Sequence, residues 1–177
     1  MSSLLSLQGF RTFIQPPEAA DEAAFLAAMQ DSVGLHSPWL SAPKTHEGWQ
    51  RYMGRLERDN EAGFLVKRIH DRVICGVVNL NIITYEALCS AYVSYYSVAG
   101  QAERGYMTEG MSQVIRHAFD KLGLHRLEAN IQPGNLASIA LARSAGFEYE
   151  GFSPRFLRIN GEWCDHERWA LLADDEP

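Results

Sequence analysis

The sequence predicts a fold of the α/β or α+β class, with a mixed, mostly antiparallel twisted sheet of about six to seven strands and about four helices on its two faces. Two observations support this prediction. Apolar residues recur at i, i+4, i+7 and i+8 from Met107 to Leu122, which places one stripe along one helix face. Predicted strands are joined both by short turns, such as Asn160-Gly161, and by helices, as is typical of a mixed sheet.

The first half of the chain predicts one strand, two helices and two further strands. The first strand ends at Pro16-Pro17, and acidic residues after Pro17 mark the start of a helix. Thr45 is a predicted N-cap for the second helix. The predicted elements are a strand at 10–15, a helix from 17 that Gly34 can end, a loop at 35–43, a helix from 45 to about 59, and hairpin-linked strands at 63–69 and 73–83.

The second half alternates strands with helices and closes on a hairpin. Gly123 is expected to cap the long helix, and Gly146 to stop a shorter one. Asn160-Gly161 is the pair that a type I′ turn prefers, since both positions need a positive φ. The predicted elements are a strand at 89–98, the helix that begins near 106, a strand at 124–131, a helix at 135–144, a strand that begins at 147, and strands at 155–159 and 162–172.

Composition limits the possible functions. A length of 177 residues indicates one domain, residues 1–177. The net charge of −6 repels phosphate backbones and mildly favours cationic partners, so no nucleic-acid partner is expected. Without a long apolar run or a signal-like N-terminus, we expect a cytoplasmic protein that does not engage membranes. The spacing of the cysteines and histidines predicts neither a disulfide framework nor a metal site.

The turn between the strand ending at Val98 and the helix opening near Gly105 is a candidate phosphate cradle. A helix N-terminus presents free backbone N–H groups and the positive end of the helix dipole to an anion. Arg104 adds a positive charge, and Gly105 permits close approach. The alternative is an ordinary strand-to-helix turn, because the segment is neither a Walker A loop nor a G-x-G-x-x-G fingerprint.

Three sequence blocks in fixed order carry a family resemblance. They are ERGYMTE at 103–109, LHRLEANIQPGNLASI at 124–139 followed by AGF at 145–147, and INGEWCDH at 159–166. In these blocks the span 95–172 resembles the GNAT superfamily of acyl-CoA-dependent N-acetyltransferases. Within the superfamily it is similar to the ribosomal-protein alanine N-acetyltransferases, which modify protein N-termini.

The resemblance implies acetyl-CoA as the cosubstrate and assigns residues to its parts. Strand backbone for the pantetheine arm would come from Tyr96, Ser97 and Val98. The pyrophosphate would be held by Gly100, Gln101, Ala102, Glu103, Arg104, Gly105, Tyr106, Met107 and Thr108.

The turn departs from the superfamily pattern of Gln/Arg-x-x-Gly-x-Gly/Ala. Gly100, Glu103 and Gly105 occupy those places, and only the last fits. The carboxylate of Glu103 must point to solvent or it repels the pyrophosphate. A left-handed backbone there would cost roughly 1 kcal/mol, since glutamate lacks the freedom of glycine.

One catalytic assignment follows from the resemblance. Ser138 matches the serine that the ribosomal-protein subgroup uses as general acid, while Ala142 stands where many relatives carry a tyrosine. Asn135 would bond pantetheine. The alternative is that Asn135 merely caps the helix and Ser138 is a polar surface residue. For the oxyanion, we expect a backbone N–H near Ser97 or Val98, because a strand that splays from its neighbour leaves such groups unpaired.

The general base is a separate question. Strand alternation puts Arg126, Glu128 and Asn130 on one face, so Glu128 either relays a proton through water or serves as a structural partner of Arg126. The place near Leu157 where some relatives carry a base holds no carboxylate. An N-terminal amine has a pKa near 7.7–8.0, so a strong base is not essential. Glu109 has a structural explanation, because an acidic residue in the first turn of a helix interacts favourably with the helix dipole. Asp165 has another, as a residue that holds the last hairpin together.

The expected reaction is acetyl transfer to a primary amine, with a protein N-terminus of the ribosomal type as acceptor. The alternatives are a small-molecule amine as acceptor, or a non-catalytic acyl-CoA-binding module. Acceptor choice depends on loops such as 35–43. His36, Trp39 and Trp49 either line the acceptor site or pack as loop and core aromatics. The sequence leaves open whether the protein is a monomer or a homodimer.

Overall fold

Seven strands and five helices form residues 9–173, the part of the chain that the computed structural model describes. The strands are β1 (Thr12–Gln15), β2 (Ala62–Arg68), β3 (Ile74–Thr84), β4 (Ser90–Ser97), β5 (Arg126–Ile131), β6 (Glu148–Ile159) and β7 (Glu162–Leu172). The helices are α1 (Glu22–Asp31), α2 (Val33–His36), α3 (His46–Leu56), α4 (Tyr106–Asp120) and α5 (Leu136–Ser144). None of these helices is long and apolar enough to cross a membrane. The prediction about the extreme N-terminus concerns residues that lie outside the described range.

The strands form one sheet in the order β1-β2-β3-β4-β5-β7-β6. Among the described strands, β4 and β5 are the single parallel pair and all other neighbours are antiparallel. The predicted mixed, mostly antiparallel sheet is therefore confirmed. Asn160 and Gly161 adopt φ values of 50° and 91° between β6 and β7, as the predicted turn requires.

The parallel pair β4–β5 is joined over only part of its length. Register pairs run from Ser90 with Arg126 to Tyr92 with Glu128, although β4 continues to Ser97 and β5 to Ile131. Beyond the last pair the two strands diverge. A gap consequently opens in the middle of the sheet, bordered by backbone groups of β4 that do not pair with β5.

Two apolar clusters fix the helices on opposite faces of the sheet. The predicted stripe of α4 packs on one face, where Met111 and Val114 are fully buried. On the other face α1 and α3 meet the sheet through Phe25, Met29, Trp49 and Tyr52.

A glycine permits the close contact between α4 and β2. A Cβ added at Gly110 would lie 2.4 Å from Cγ2 of Val66, so this position of α4 has no room for a side chain.

Two local predictions were wrong in detail. The first helix ends at Asp31, and Gly34 lies inside α2, a single turn within the region predicted as helix end and loop. Ser32 separates the two helices, since its hydroxyl donates to the carbonyl of Ala28. At the C-terminal end, one long strand replaces the two predicted pieces. β6 accommodates Pro154 because it is an edge strand and this residue lies within a register irregularity between Ser153 and Leu157.

Candidate active site

Two cavities lie against β4 and meet at Tyr95 and Tyr96. The first, here called the turn-side cavity, has a volume of about 450 Å³ and lies between β4, the turn before α4, and α5. The second, the α3-side cavity, has a volume of about 590 Å³ and lies between β4, α3 and residues 40–45. Both volumes are typical of small-molecule sites. Two ligands can thus approach the same strand segment from different sides.

The turn before α4 has an anion-binding backbone. Gly100, Glu103 and Gly105 have φ values of 75°, 61° and 80°, so three left-handed residues bend the chain within six positions. Left-handed residues among right-handed ones turn successive N–H groups toward a common centre. The N-terminus of α4, a helix of 15 residues, adds its free amides and dipole. Glu103 is exposed where it borders the cavity.

A cation from the first strand region braces this turn. The guanidinium of Arg11 donates to the carbonyl of Arg104 at 2.9 Å and to the carboxylate of Glu109 at 2.7 Å. Partial burial raises the pKa of Glu109, but hydrogen bonds from Arg11 and Thr12 outweigh burial and hold this pKa below its usual value. Glu109 therefore has a structural partner. Sequence reasoning missed Arg11 because 98 positions separate the pair.

The backbone at the end of β4 offers one free amide rather than two. The N–H of Val98 donates to the carbonyl of Cys75 at 2.9 Å and is therefore engaged. Nε2 of His36 donates to the carbonyl of Ser97 at 2.8 Å from the opposite side. Because backbone groups alternate along a strand and the N–H of Val98 faces β3, the N–H of Ser97 faces away from β3, toward the gap. Of the two predicted oxyanion donors, Ser97 alone remains available.

Ser138 lies in the first turns of α5 and lines the turn-side cavity. Its N–H donates to Oδ1 of Asn135 at 3.2 Å, which makes Asn135 the N-cap of α5. Its carbonyl accepts from the hydroxyl of Tyr95 at 2.7 Å, a bond that ties α5 to β4 across the cavity. Burial raises the pKa of Tyr95, so this hydroxyl stays protonated and keeps donating at neutral pH.

Glu128 is not among the residues that line either cavity. Its carboxylate accepts from Nε of Arg126 at 2.8 Å, and the same guanidinium also binds Glu150. The hydrogen bonds that Arg126 donates to Glu150 and Glu128 raise the pKa of Arg126 further above its usual value. This arrangement favours the structural interpretation of Glu128 over the catalytic one.

The α3-side cavity has a polar floor built from three separate elements. The hydroxyl of Tyr52 on α3 donates to Oδ1 of Asn79 on β3 at 2.8 Å, beside Tyr96 on β4. Burial raises the pKa of Tyr52 and of Tyr96, so both phenols remain neutral. No local motif indicates this group, since its members lie far apart in the chain.

A family model described as an acetyltransferase (GNAT) domain matches residues 11–148. The chain belongs to the GNAT family. It is an acetyl-CoA-dependent N-acetyltransferase, as the sequence blocks predicted.

Relatives of this GNAT enzyme support the subgroup resemblance. It is 38% identical over 178 residues to YjcK of Bacillus subtilis (strain 168), described as a probable N-acetyltransferase, covering 96% of this chain and 98% of that protein. It is 30% identical to the [ribosomal protein uS5]-alanine N-acetyltransferase of Escherichia coli (strain K12), over 72% of this chain and 68% of that one. The ribosomal-protein-S5-alanine acetyltransferase structure from Vibrio fischeri superposes with a TM-score of 0.83 at 25% identity, over 95% and 97% of the two chains.

The predicted cosubstrate residues of this GNAT chain divide into two sets. Those that line the turn-side cavity are Tyr96, Ser97, Gln101, Ala102, Glu103, Gly105, Met107, Thr108 and Ser138. Those that are not among its lining residues are Val98, Gly100, Arg104, Tyr106 and Asn135.

The three aromatic residues named as candidates for the acceptor site pack against other parts of the protein. Trp49 is core, and His36 is buried against Ser97. The ring of Trp39 lies so close to Gly134 that an added Cβ would approach it to 3.0 Å.

Proposed function

We propose that this GNAT enzyme acetylates the N-terminal amine of a protein; relatives named as ribosomal-protein alanine N-acetyltransferases support a protein acceptor. The observation that carries the proposal is the meeting of two cavities at Tyr95 and Tyr96. One cavity is bordered by the anion-binding turn, and the other is open to a second substrate.

The turn-side cavity fits acetyl-CoA by its donor set. Backbone amides of the turn and of the first turn of α4 suit a pyrophosphate. The gap beside β4 offers unpaired strand backbone to the amide groups of pantetheine. We propose that residues 100–108 hold the pyrophosphate, that Tyr96 and Ser97 border the pantetheine arm, and that the side-chain nitrogen of Asn135, which the helix cap does not use, donates to it.

The acetyl donor supplies a thioester carbonyl. The amine nitrogen bonds to this carbon, and the carbon–sulfur bond then breaks, so the site must stabilise an oxyanion and protonate a thiolate. We assign the N–H of Ser97 as the oxyanion donor and the hydroxyl of Ser138 as the acid. The ammonium form of the amine first loses a proton to solvent, because its pKa near 7.7–8.0 leaves a sizeable neutral fraction at neutral pH. The proton that the nitrogen sheds when the new bond forms replaces the one that Ser138 gives to the thiolate.

Thiol release from acetyl-CoA tests the proposal. The purified protein is offered peptides beginning with alanine or serine, and separately small amines such as spermidine. We expect release with the peptides, and intact mass and fragmentation should locate the acetyl group on the terminal nitrogen. Turnover on small amines alone would remove the N-terminal assignment. A second check is calorimetric: failure to bind CoA would contradict the assignment of the turn.

A further inference from the structure

The α3-side cavity differs in charge from the molecule as a whole. Three basic side chains line it, Lys44, Arg51 and Arg55, and no aspartate or glutamate within residues 9–173 is among its lining residues. The whole chain has a net charge of −6, so the local sign opposes the overall one. Three cations around one cavity favour an anionic occupant and disfavour a polycation.

The basic residues are poorly neutralised by their neighbours. Arg51 and Arg55 stand four residues apart on α3, where two like charges share a face and destabilise the helix. Across the described part of the chain, neither Lys44 nor Arg51 forms an ion pair. Arg55 approaches Glu61 only at 3.6 Å, and the two atoms involved, both buried, have no hydrogen-bond partner there.

The surrounding fold anchors the backbone that carries Lys44 beside the cavity. The carbonyl of Lys44 accepts from Nε2 of Gln30 at 2.9 Å, which anchors the chain beside the cavity. Thr45 caps α3 and lines the cavity together with Gly48, so the positive end of the helix dipole adds to the charge of the three side chains.

We propose that the acceptor is a peptide N-terminus followed within its first few residues by an aspartate or glutamate. Arg51 binds that carboxylate, with Lys44 and Arg55 beside it. The apolar wall formed by Leu40 and Ala42 faces the side chain of the first residue of the peptide. This inference rests on the proposed function, because it specifies which N-termini the enzyme selects. A charge-assisted bond to an arginine gives both affinity and register to such a segment.

Two peptides that begin with alanine and differ only in carrying glutamate or lysine at positions two and three test the inference. For the wild type we expect a kcat/KM about tenfold higher with the glutamate peptide, mainly through KM. Arg51→Glu should abolish or reverse this ratio. Arg58→Glu makes the same charge change at an exposed position outside the cavity lining and should leave the ratio unchanged. CoA binding measured by calorimetry checks that each variant is folded.

The outcomes separate the two proposals. If both peptides are acetylated equally well, or the lysine peptide better, the acidic-acceptor inference is refuted while N-terminal acetylation stands. The same holds if Arg51→Glu keeps the wild-type ratio. If neither peptide is acetylated but spermidine is, both proposals are refuted.

Discussion

Replacing Glu103 tests the turn before α4 in two separable ways. Its φ of 61° is a conformation that a non-glycine residue adopts at a cost of about 1–2 kcal/mol. Glycine relieves that strain but loses more entropy on folding, about 0.5–1 kcal/mol. The net expectation for Glu103→Gly is a stabilisation of about 0.5–1 kcal/mol, which raises the Tm by about 1–4 °C in a domain of this size.

The charge of Glu103 acts on the ligand rather than on the fold. Two unit charges about 7 Å apart in water interact by about 0.6 kcal/mol, and ordinary salt roughly halves this value. A pyrophosphate with about two charges therefore binds about threefold more tightly when the carboxylate is removed. Glu103→Gln should show this gain in CoA affinity without the gain in Tm, because the side chain at 103 still has a Cβ. Glu103→Gly should show both.

Calorimetric titration of CoA at low and at 1 M salt is the assay. The affinity gain should disappear at high salt. Glu86→Gln is the matched control, since this exposed residue precedes the start of β4, about 25 Å along the strand from the turn. If Glu103→Gln leaves CoA affinity unchanged at low salt or weakens it, the turn does not hold the phosphates.

Three further expectations follow from the contacts. Ser138→Ala should lower kcat by about 10²-fold or more with unchanged CoA affinity, since a positioned acid contributes that much. Ser144→Ala, a control in the lining of the same cavity, should keep the wild-type rate. Equal rates for both variants would contradict the assignment of Ser138 as the acid. Gly110→Ala should lower the free energy of unfolding in urea by about 1–3 kcal/mol, because its Cβ would overlap Val66. Gly54→Ala, with open space around it, should stabilise α3. If Gly110→Ala proves more stable than Gly54→Ala, the packing of α4 on β2 is contradicted. Burial, with a contribution from Lys121, lowers the pKa of His117 below 6.5 in the folded state, so the unfolded chain binds this proton first. The free energy of unfolding should therefore fall as the pH drops from 6.5 to the folded pKa. His117→Gln should flatten that slope, and an unchanged slope would argue for another group.

Local patterns predicted most of the fold. The stripe of α4, the cap at Thr45 and the Asn160-Gly161 turn each depend on residues close in sequence, and the structure confirms all three. The single-turn helix α2 was missed because four residues carry no periodicity. β6 was divided in two because Pro154 interrupts the strand pattern, a feature that only an edge position tolerates.

The site was harder to predict than the fold. The turn at 99–105 joins two elements that are adjacent in sequence, so its geometry could be anticipated from the chain. Arg11, Tyr52 and Asn79 reach the site from distant elements and carry no motif. The charge of the α3-side cavity was also hidden, because the net charge of −6 pointed toward a cationic acceptor. Summed charge reports long-range attraction, whereas selectivity depends on the few side chains that touch the ligand.

The incomplete pairing of β4 with β5 links catalysis to the stability of the native state. Along the divergence the backbone of β4 does not pair with β5, and the carbonyl of Ser97 is bonded to His36 instead. A cosubstrate that binds there acts only on the folded chain, and at a concentration 100 times its Kd it adds about 2.7 kcal/mol to the free energy of unfolding. The supply of acetyl donor would then govern the lifetime of the enzyme as well as its rate, and the protein without bound donor would be the form that proteases clear first.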